Sequence, residues 1–208
     1  PTLFSERNID PDKLRELKEK LRITNDDFIL SYLGSIGTWY MLDEMLQFFK
    51  RLLIKKPTAK LLFITTEPEE LIIKSVKKKE IPIDKIIIQK AAREEVPVLL
   101  TLSKLSIFFI KPVFSKKASS PTKLGEVLSM GIPVICNSNI GDVDSIIEQS
   151  GSGILINHFN NDEYDRAIKN IDHLLAIDKD KIIETTKNYF SLQEGVGLYD
   201  RVYQQVMT

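Results

Sequence analysis

The chain has 208 residues, 43% of them hydrophobic, enough to bury one large core or two small ones. Its 29 basic and 29 acidic side chains balance, which argues against the strong, salt-dependent phosphate binding of a nucleic-acid protein. No apolar run approaches the about 20 residues that span a bilayer, the first residues lack the order of a signal peptide, and Cys136, the only cysteine, excludes an internal disulfide.

The cytoplasm is therefore the expected compartment. The chain opens on Pro1, as a piece cut from a longer protein would, so a preceding domain is expected to be missing. Residues 10–21 place Leu14, Leu17 and Leu21 on one face behind an Asp-Pro start, which predicts an amphipathic helix. Residues 27–35 are a continuous apolar run ending in glycine, the pattern of a strand buried on both faces. A helical stripe of Met41, Met45, Phe48, Phe49 and Leu52 predicts a helix over 38–53.

The rhythm then repeats: strand 59–66, helix 67–79, strand 84–91, helix 93–104 interrupted near Pro97, strand 105–112. A helix starting near Ser120, a strand at 133–138, a helix at 142–150 and a strand at 153–157 complete the alternation. Only helices follow. The last two, joined near Ser191, carry Tyr189, Phe190, Leu198, Tyr199, Val202 and Tyr203, which are expected to dock on the fold. Apolar strands alternating with helices predict an α/β, doubly wound, Rossmann-like parallel sheet of six strands in the order 3-2-1-4-5-6, with helices on both faces. With no internal linker, residues 1–208 read as one domain.

In such a sheet ligands bind beyond the carboxyl ends of the strands, where the strand order reverses. After the first strand, Gly34 and Gly37 allow close approach of backbone to ligand, and Thr38 is placed to cap the next helix. The third glycine of a dinucleotide fingerprint is absent, and a plain tight turn remains an alternative. After the fourth strand comes a long polar loop in which Ser120 is a natural N-cap and Pro121 a natural first helical residue. The helix start with Lys123 one turn inside suits an anion such as a diphosphate. Glu126, three residues on, suits the two hydroxyls of a ribose. The bland alternative is a surface Lys123–Glu126 salt bridge worth a few tenths of a kcal/mol, roughly. His158 and His173 lack carboxylate or cysteine at metal-ligand spacing, so no metal site is expected.

The segment "SPTKLGEVLSMGIPVICNS" resembles the Pro-x-Lys-x-x-Glu, Gly-x-Pro-Val-Ile signature of retaining glycosyltransferases of the two-domain B-type fold, the group-1 family. "LSYLGSIGTWYMLDEML" is similar to the glycine loop that opens their donor domain, and residues 3–23 to the linker after their interdomain crossover. The resemblance implies the C-terminal, nucleotide-sugar-binding half of such an enzyme, with residues 1–26 as linker and the N-terminal acceptor domain absent. It implies a nucleoside-diphosphate sugar donor, UDP or GDP based, used in making polysaccharide or glycoconjugate, without cofactor or metal. The partner beyond the donor would be a saccharide or lipid-linked acceptor held by the missing half, which is also where contact with the inner membrane surface would arise.

By the same resemblance, Glu126 binds the ribose hydroxyls and Lys123 stabilises the diphosphate leaving group. Ser119, Ser120, Thr122 and Leu124 belong to the same donor-binding stretch, and Gly34, Ser35, Gly37 and Thr38 line the phosphates. Gln89, Lys90 and Ala91, with Val96, would hold the base. Two departures stand out. Many relatives hold the transferred sugar with a carboxylate eight positions before the ribose glutamate, where this chain has Ala118. Ser35 and Tyr40 stand near the places of an arginine and a lysine that neutralise the diphosphate in relatives. Alternatives are a nucleotide-sugar epimerase of the same fold and a non-catalytic doubly wound interaction module.

Overall fold

The computed structural model describes residues 3–207. Helix α1 (Pro11–Lys20) is capped by the Asp10 carboxylate, which accepts from the Asp12 amide at 2.9 Å, with Pro11 in the first turn. Then come β1 (Phe28–Leu33), α2 (Leu42–Lys55), β2 (Ala59–Ile64), α3 (Glu69–Lys78), β3 (Ile86–Gln89), α4 (Val96–Thr101) and β4 (Leu105–Phe108). The second half holds α5 (Thr122–Ser129), β5 (Val134–Asn137), α6 (Val143–Ser150) and β6 (Gly153–Ile156), closed by α7 (Asn161–Lys169), α8 (Ile171–Leu175), α9 (Lys179–Phe190) and α10 (Leu192–Val206).

The six strands are parallel and ordered β3-β2-β1-β4-β5-β6, the order the sequence rhythm predicts. Central β1 pairs with β2 from Phe28↔Ala59 to Leu33↔Ile64 and with β4 at Leu30↔Leu105 and Ser31↔Ser106, so the strand order reverses at the β1–β4 seam. The central strands are buried, as a sheet covered by helices on both faces requires. Among the described residues no helix is long and apolar enough to cross a membrane.

Several elements depart from expectation, and three of them frame the loops after β1, β3 and β4. Helix α2 begins at Leu42, four residues later than its stripe predicts, and Thr38 does not cap it. Residues 39–41 instead pair with the chain leaving β4: Met41 N–H donates to Phe109 O at 3.0 Å, Lys111 N–H to Trp39 O at 2.8 Å, and Tyr40 bridges Ile110. The same pairing ends β4 at Phe108, short of the predicted Pro112. There the Asn137 side chain accepts from Ile110 N–H at 2.8 Å and donates to its carbonyl at 3.0 Å, fixing the loop that follows. Helix α4 starts at Val96, so Pro97 opens it rather than interrupting it, in the first turn where its missing N–H has no intrahelical role.

Residues 3–23 pack on the fold: Phe4 is 2% exposed and α1 lies against α4. At the other end, α9 docks on α5, where Phe190 fills the space left by Gly125. The docking expected of the last helix does not extend to α10. Its main neighbour is α9, and Tyr199 is 71% exposed, with Val202 and Tyr203 more than half exposed. The Leu198 side chain lies outside the described residues.

Candidate functional site

The loop after β1 and the loop after β4 face each other across the β1–β4 seam. Gly34 ends β1 with φ +121°, a conformation that side-chained residues rarely adopt, and a Cβ built there would lie 2.7 Å from Lys123 Nζ. The backbone thus favours glycine, and a side chain here would also displace the Lys123 amine. The Lys123 side chain enters from α5 and is only 8% exposed. Its ammonium donates to Tyr32 Oη at 3.3 Å, and the Tyr32 hydroxyl donates in turn to Ser35 O at 2.5 Å. A chain of two hydrogen bonds therefore ties α5 through β1 to the first loop.

Nζ also stands 3.6 Å from the centre of the Tyr40 ring and 4.7 Å from that of Tyr32. Burial draws the Lys123 ammonium down to about 7, against the opposing pull of Glu126. The electron-rich faces of the two rings work with Glu126 to favour the cation. Burial pushes the Tyr32 phenol up, so it stays a neutral hydroxyl that accepts from Lys123 and donates to the loop.

Helix α5 begins one residue later than expected. Pro121 occupies the N-cap with extended φ −69°, ψ 113°, Thr122 is the first helical residue, and Ser120 does not cap. The Leu124 amide donates to Pro121 O at 2.9 Å and its side chain is fully buried, so Leu124 serves the fold. The amides of Thr122 and Lys123 have no intrahelical acceptor, as at any helix start. A cavity of about 250 Å³ opens in front of them, lined by Trp39, Tyr40, Lys116, Ser119, Ser120 and Thr122, with no acidic side chain on its wall. Lys116 Nζ lies 4.8 Å from the Trp39 ring centre across its mouth. The Lys116 ammonium, three hydroxyls and a helix start meet here without an anion, which is chemistry that suits a phosphate. A larger cavity of about 610 Å³, which Phe28, Lys104 and Pro133 help to line, lies at the amino ends of β1, β4 and β5, away from this convergence.

Glu126 does not pair with Lys123. Its carboxylate, on a side chain 13% exposed, is met at 2.8 Å by the guanidinium of Arg93 from the β3–α4 loop. The surface-pair alternative is thereby removed, since each member has a different partner. In the same loop Gln89 Nε2 donates to Lys90 O at 2.5 Å, while Ala91 is partly buried, Lys90 exposed and Val96 buried. A Cβ on Gly37 would meet nothing within 4 Å, and Thr38 is exposed in the turn that the Tyr40 N–H closes by donating to Gly37 O at 3.1 Å. Gly34, Ser35, Ser119, Ser120, Thr122 and Lys123 gather around the seam, and Glu126 lies one helical turn further, toward the β3 loop.

Sequence reasoning does not single out Tyr32 or Arg93. Tyr32 sits in an apolar strand and reads as core; its one signal is a hydroxyl on a buried strand, which needs a partner. Arg93 reads as the surface of a predicted helix.

The family model described as glycosyl transferases group 1 matches residues 14–188. Similar solved structures include HepE from Anabaena in complex with UDP and glucose, 12% identical at TM-score 0.70, with all of this chain covering 54% of that one. Another is a glycosyltransferase from Rickettsia africae, 20% identical at TM-score 0.72, covering 100% of this chain and 55% of that one. The C-terminal domain of the group 1 family protein LpcC from Francisella tularensis is 15% identical at TM-score 0.58, over 90% of this chain and 92% of that domain. The chain thus spans about half the length of the first two. A search by sequence among curated proteins finds no match.

Proposed function

The chain belongs to the group 1 glycosyltransferases, and from that premise we propose that it is the donor-binding half of a retaining enzyme that transfers a sugar from a nucleoside diphosphate. The observation that carries this reading is an acid-free cavity at the start of α5, lined by Lys116, Ser119, Ser120 and Thr122, with the buried Lys123 ammonium against its Tyr40 wall at the β1–β4 seam. The diphosphate lies across that cavity, with the hydroxyls of Ser119, Ser120 and Thr122 at its edge, and reaches toward Lys123, whose ammonium sits against the Tyr40 ring of the cavity wall. Glu126, one turn on, accepts from the ribose diol, and the loop of Gln89, Lys90 and Ala91 with Val96 holds the base.

Transfer breaks the bond from the anomeric carbon to the β-phosphate oxygen, and negative charge grows on the departing diphosphate. Lys123 is the side chain placed to stabilise that charge, and a preorganised cation in a dry site is worth far more than the same cation in water. No carboxylate lines the cavity, so the contact to the transferred sugar that Ala118 does not supply comes from elsewhere.

The acceptor, a saccharide or lipid-linked saccharide of polysaccharide or glycoconjugate assembly, binds a second domain. Two observations favour that domain: the HepE and Rickettsia structures are about twice as long, and α10 exposes Leu192, Val196, Tyr199, Tyr203 and Val206 at three- and four-residue spacing along one side. Any association with the cytoplasmic face of a membrane belongs to that part.

The test is thermal unfolding of the chain with UDP, GDP and ADP. One of them is expected to raise the midpoint by mass action, and Glu126→Gln and Lys123→Met each to weaken the shift. No shift with any nucleotide would overturn the reading. The bound UDP of HepE makes UDP the first ligand to try.

A further inference from the structure

We infer that Arg93 is a positioning residue for the nucleotide's ribose: it neutralises and orients Glu126 so that a carboxylate can serve beside a diphosphate. The inference rests on the reading of Glu126 as the ribose acceptor and adds a residue outside the family signature. A diphosphate at Lys123 brings negative charge to within about one helical turn of Glu126, since residues three apart share a helix face. Two anionic groups in one partly buried site repel unless each has its own cation. Lys123 is committed to the seam, where Tyr32, Tyr40 and Gly34 enclose it. Glu126 therefore needs a second cation, and Arg93 supplies it.

The contact is built rather than incidental. The Ala92 amide donates to Glu95 Oε2 at 2.8 Å and the Glu95 amide donates to Ala92 O at 3.0 Å, which closes a turn around Arg93. The guanidinium carbon lies 5.3 Å from the ring centre of Phe4, itself 2% exposed, so one side of the guanidinium rests on a fixed aromatic surface. The ion pair uses Oε1 of Glu126. A carboxylate has two oxygens with about four acceptor positions, so Oε2 remains as an acceptor for a diol. Arg93 is 66% exposed on its side chain, so removing it leaves the core intact while stripping Glu126 of its counter-ion.

The test is titration of UDP and 2′-deoxy-UDP, or the GDP pair if UDP gives no shift, against the wild type, Arg93→Met, Arg93→Lys, Glu126→Gln and the Arg93→Met/Glu126→Gln double variant. The wild type is expected to prefer the ribonucleotide, and Arg93→Met to lose that preference by about fivefold, with Arg93→Lys partly restoring it. In the Glu126→Gln background Arg93→Met should change the preference no further. An unchanged preference in Arg93→Met, or equal weakening of both nucleotides, overturns the role of Arg93 while leaving the donor site standing. A wild type that binds both nucleotides equally overturns Glu126 as the ribose acceptor and the role of Arg93 with it, and one that binds neither overturns the donor site itself.

Discussion

The Lys123 ammonium stands 3.6 Å from the centre of the Tyr40 ring, in a space that Gly34 keeps open. Tyr40 belongs to the loop after β1 and Lys123 to α5, so this one contact joins the two segments that flank the β1–β4 seam. A desolvated cation over an aromatic face gains about 2 kcal/mol, which offsets part of the cost of burying the amine. The result is a lysine that burial holds near the edge of protonation at about pH 7.

The first prediction is therefore a pH dependence. Nucleotide binding that needs the ammonium should weaken above about pH 7, by up to about tenfold per pH unit, and should take up a proton at pH 8. Calorimetric titration of UDP at pH 8 in buffers of different ionisation enthalpy measures that uptake directly. The empty protein carries the opposite sign. Between about 7 and the ordinary value of 10.5 the unfolded chain holds the proton more tightly, so stability relative to Lys123→Met rises with pH across that window. A flat stability difference between pH 7 and 10 would show that the amine is solvated.

Gly34→Ala should damage the fold and the site together. The φ of +121° strains any side-chained residue, and the added methyl would lie 2.7 Å from Lys123 Nζ. A loss of about 1 to 3 kcal/mol in urea unfolding is expected, with nucleotide affinity falling further than stability alone accounts for. Gly37→Ala, with nothing within 4 Å of its added carbon, is the control and should be close to neutral in the empty protein.

How far the site is legible in the sequence depends on whether a contact is local. Strand order follows from the alternation of apolar runs and helical stripes, and the spacing of Lys123 and Glu126 alone places them on one helical face. Their partners lie beyond any local pattern. Arg93 is 33 positions from Glu126 in a stretch that reads as helix, and Tyr32 is 91 positions from Lys123 in a stretch that reads as core. The late start of α2 has the same origin, since Tyr40 gives up helix to bridge Ile110. Periodicity likewise shows that α10 has an apolar face, but not what that face meets.

Gly125→Ala should act on the packing of α5 against α9. A methyl there would come within 2.6 Å of the Phe190 ring, and overpacking of this kind costs about 1 to 3 kcal/mol. Phe190→Leu alone should cost less than that, and adding it to Gly125→Ala should recover part of the loss. Denaturant unfolding of the two single variants and the double variant gives the coupling. Simple additivity would mean that the α9 end does not rest on α5 in solution.

The last prediction concerns α10, whose apolar side chains face solvent in this chain. Tyr199 is 71% exposed, Leu192 78% and Val206 79%, so replacing each with serine removes almost no burial. Unfolding free energy of the 208-residue chain should then change by less than about 0.5 kcal/mol per substitution, and backbone amides in α10 should exchange with deuterium faster than those in α5. In a two-domain protein of the proposed kind, with the stripe covered by the second domain, the same substitutions should lower the melting midpoint and weaken transfer more than donor binding. A cost above about 1 kcal/mol in the 208-residue chain would mean that α10 folds back onto the sheet domain. Equal tolerance in the longer protein would remove the stripe as a domain contact. The two proteins therefore separate a helix that stabilises its own domain from one that recognises another.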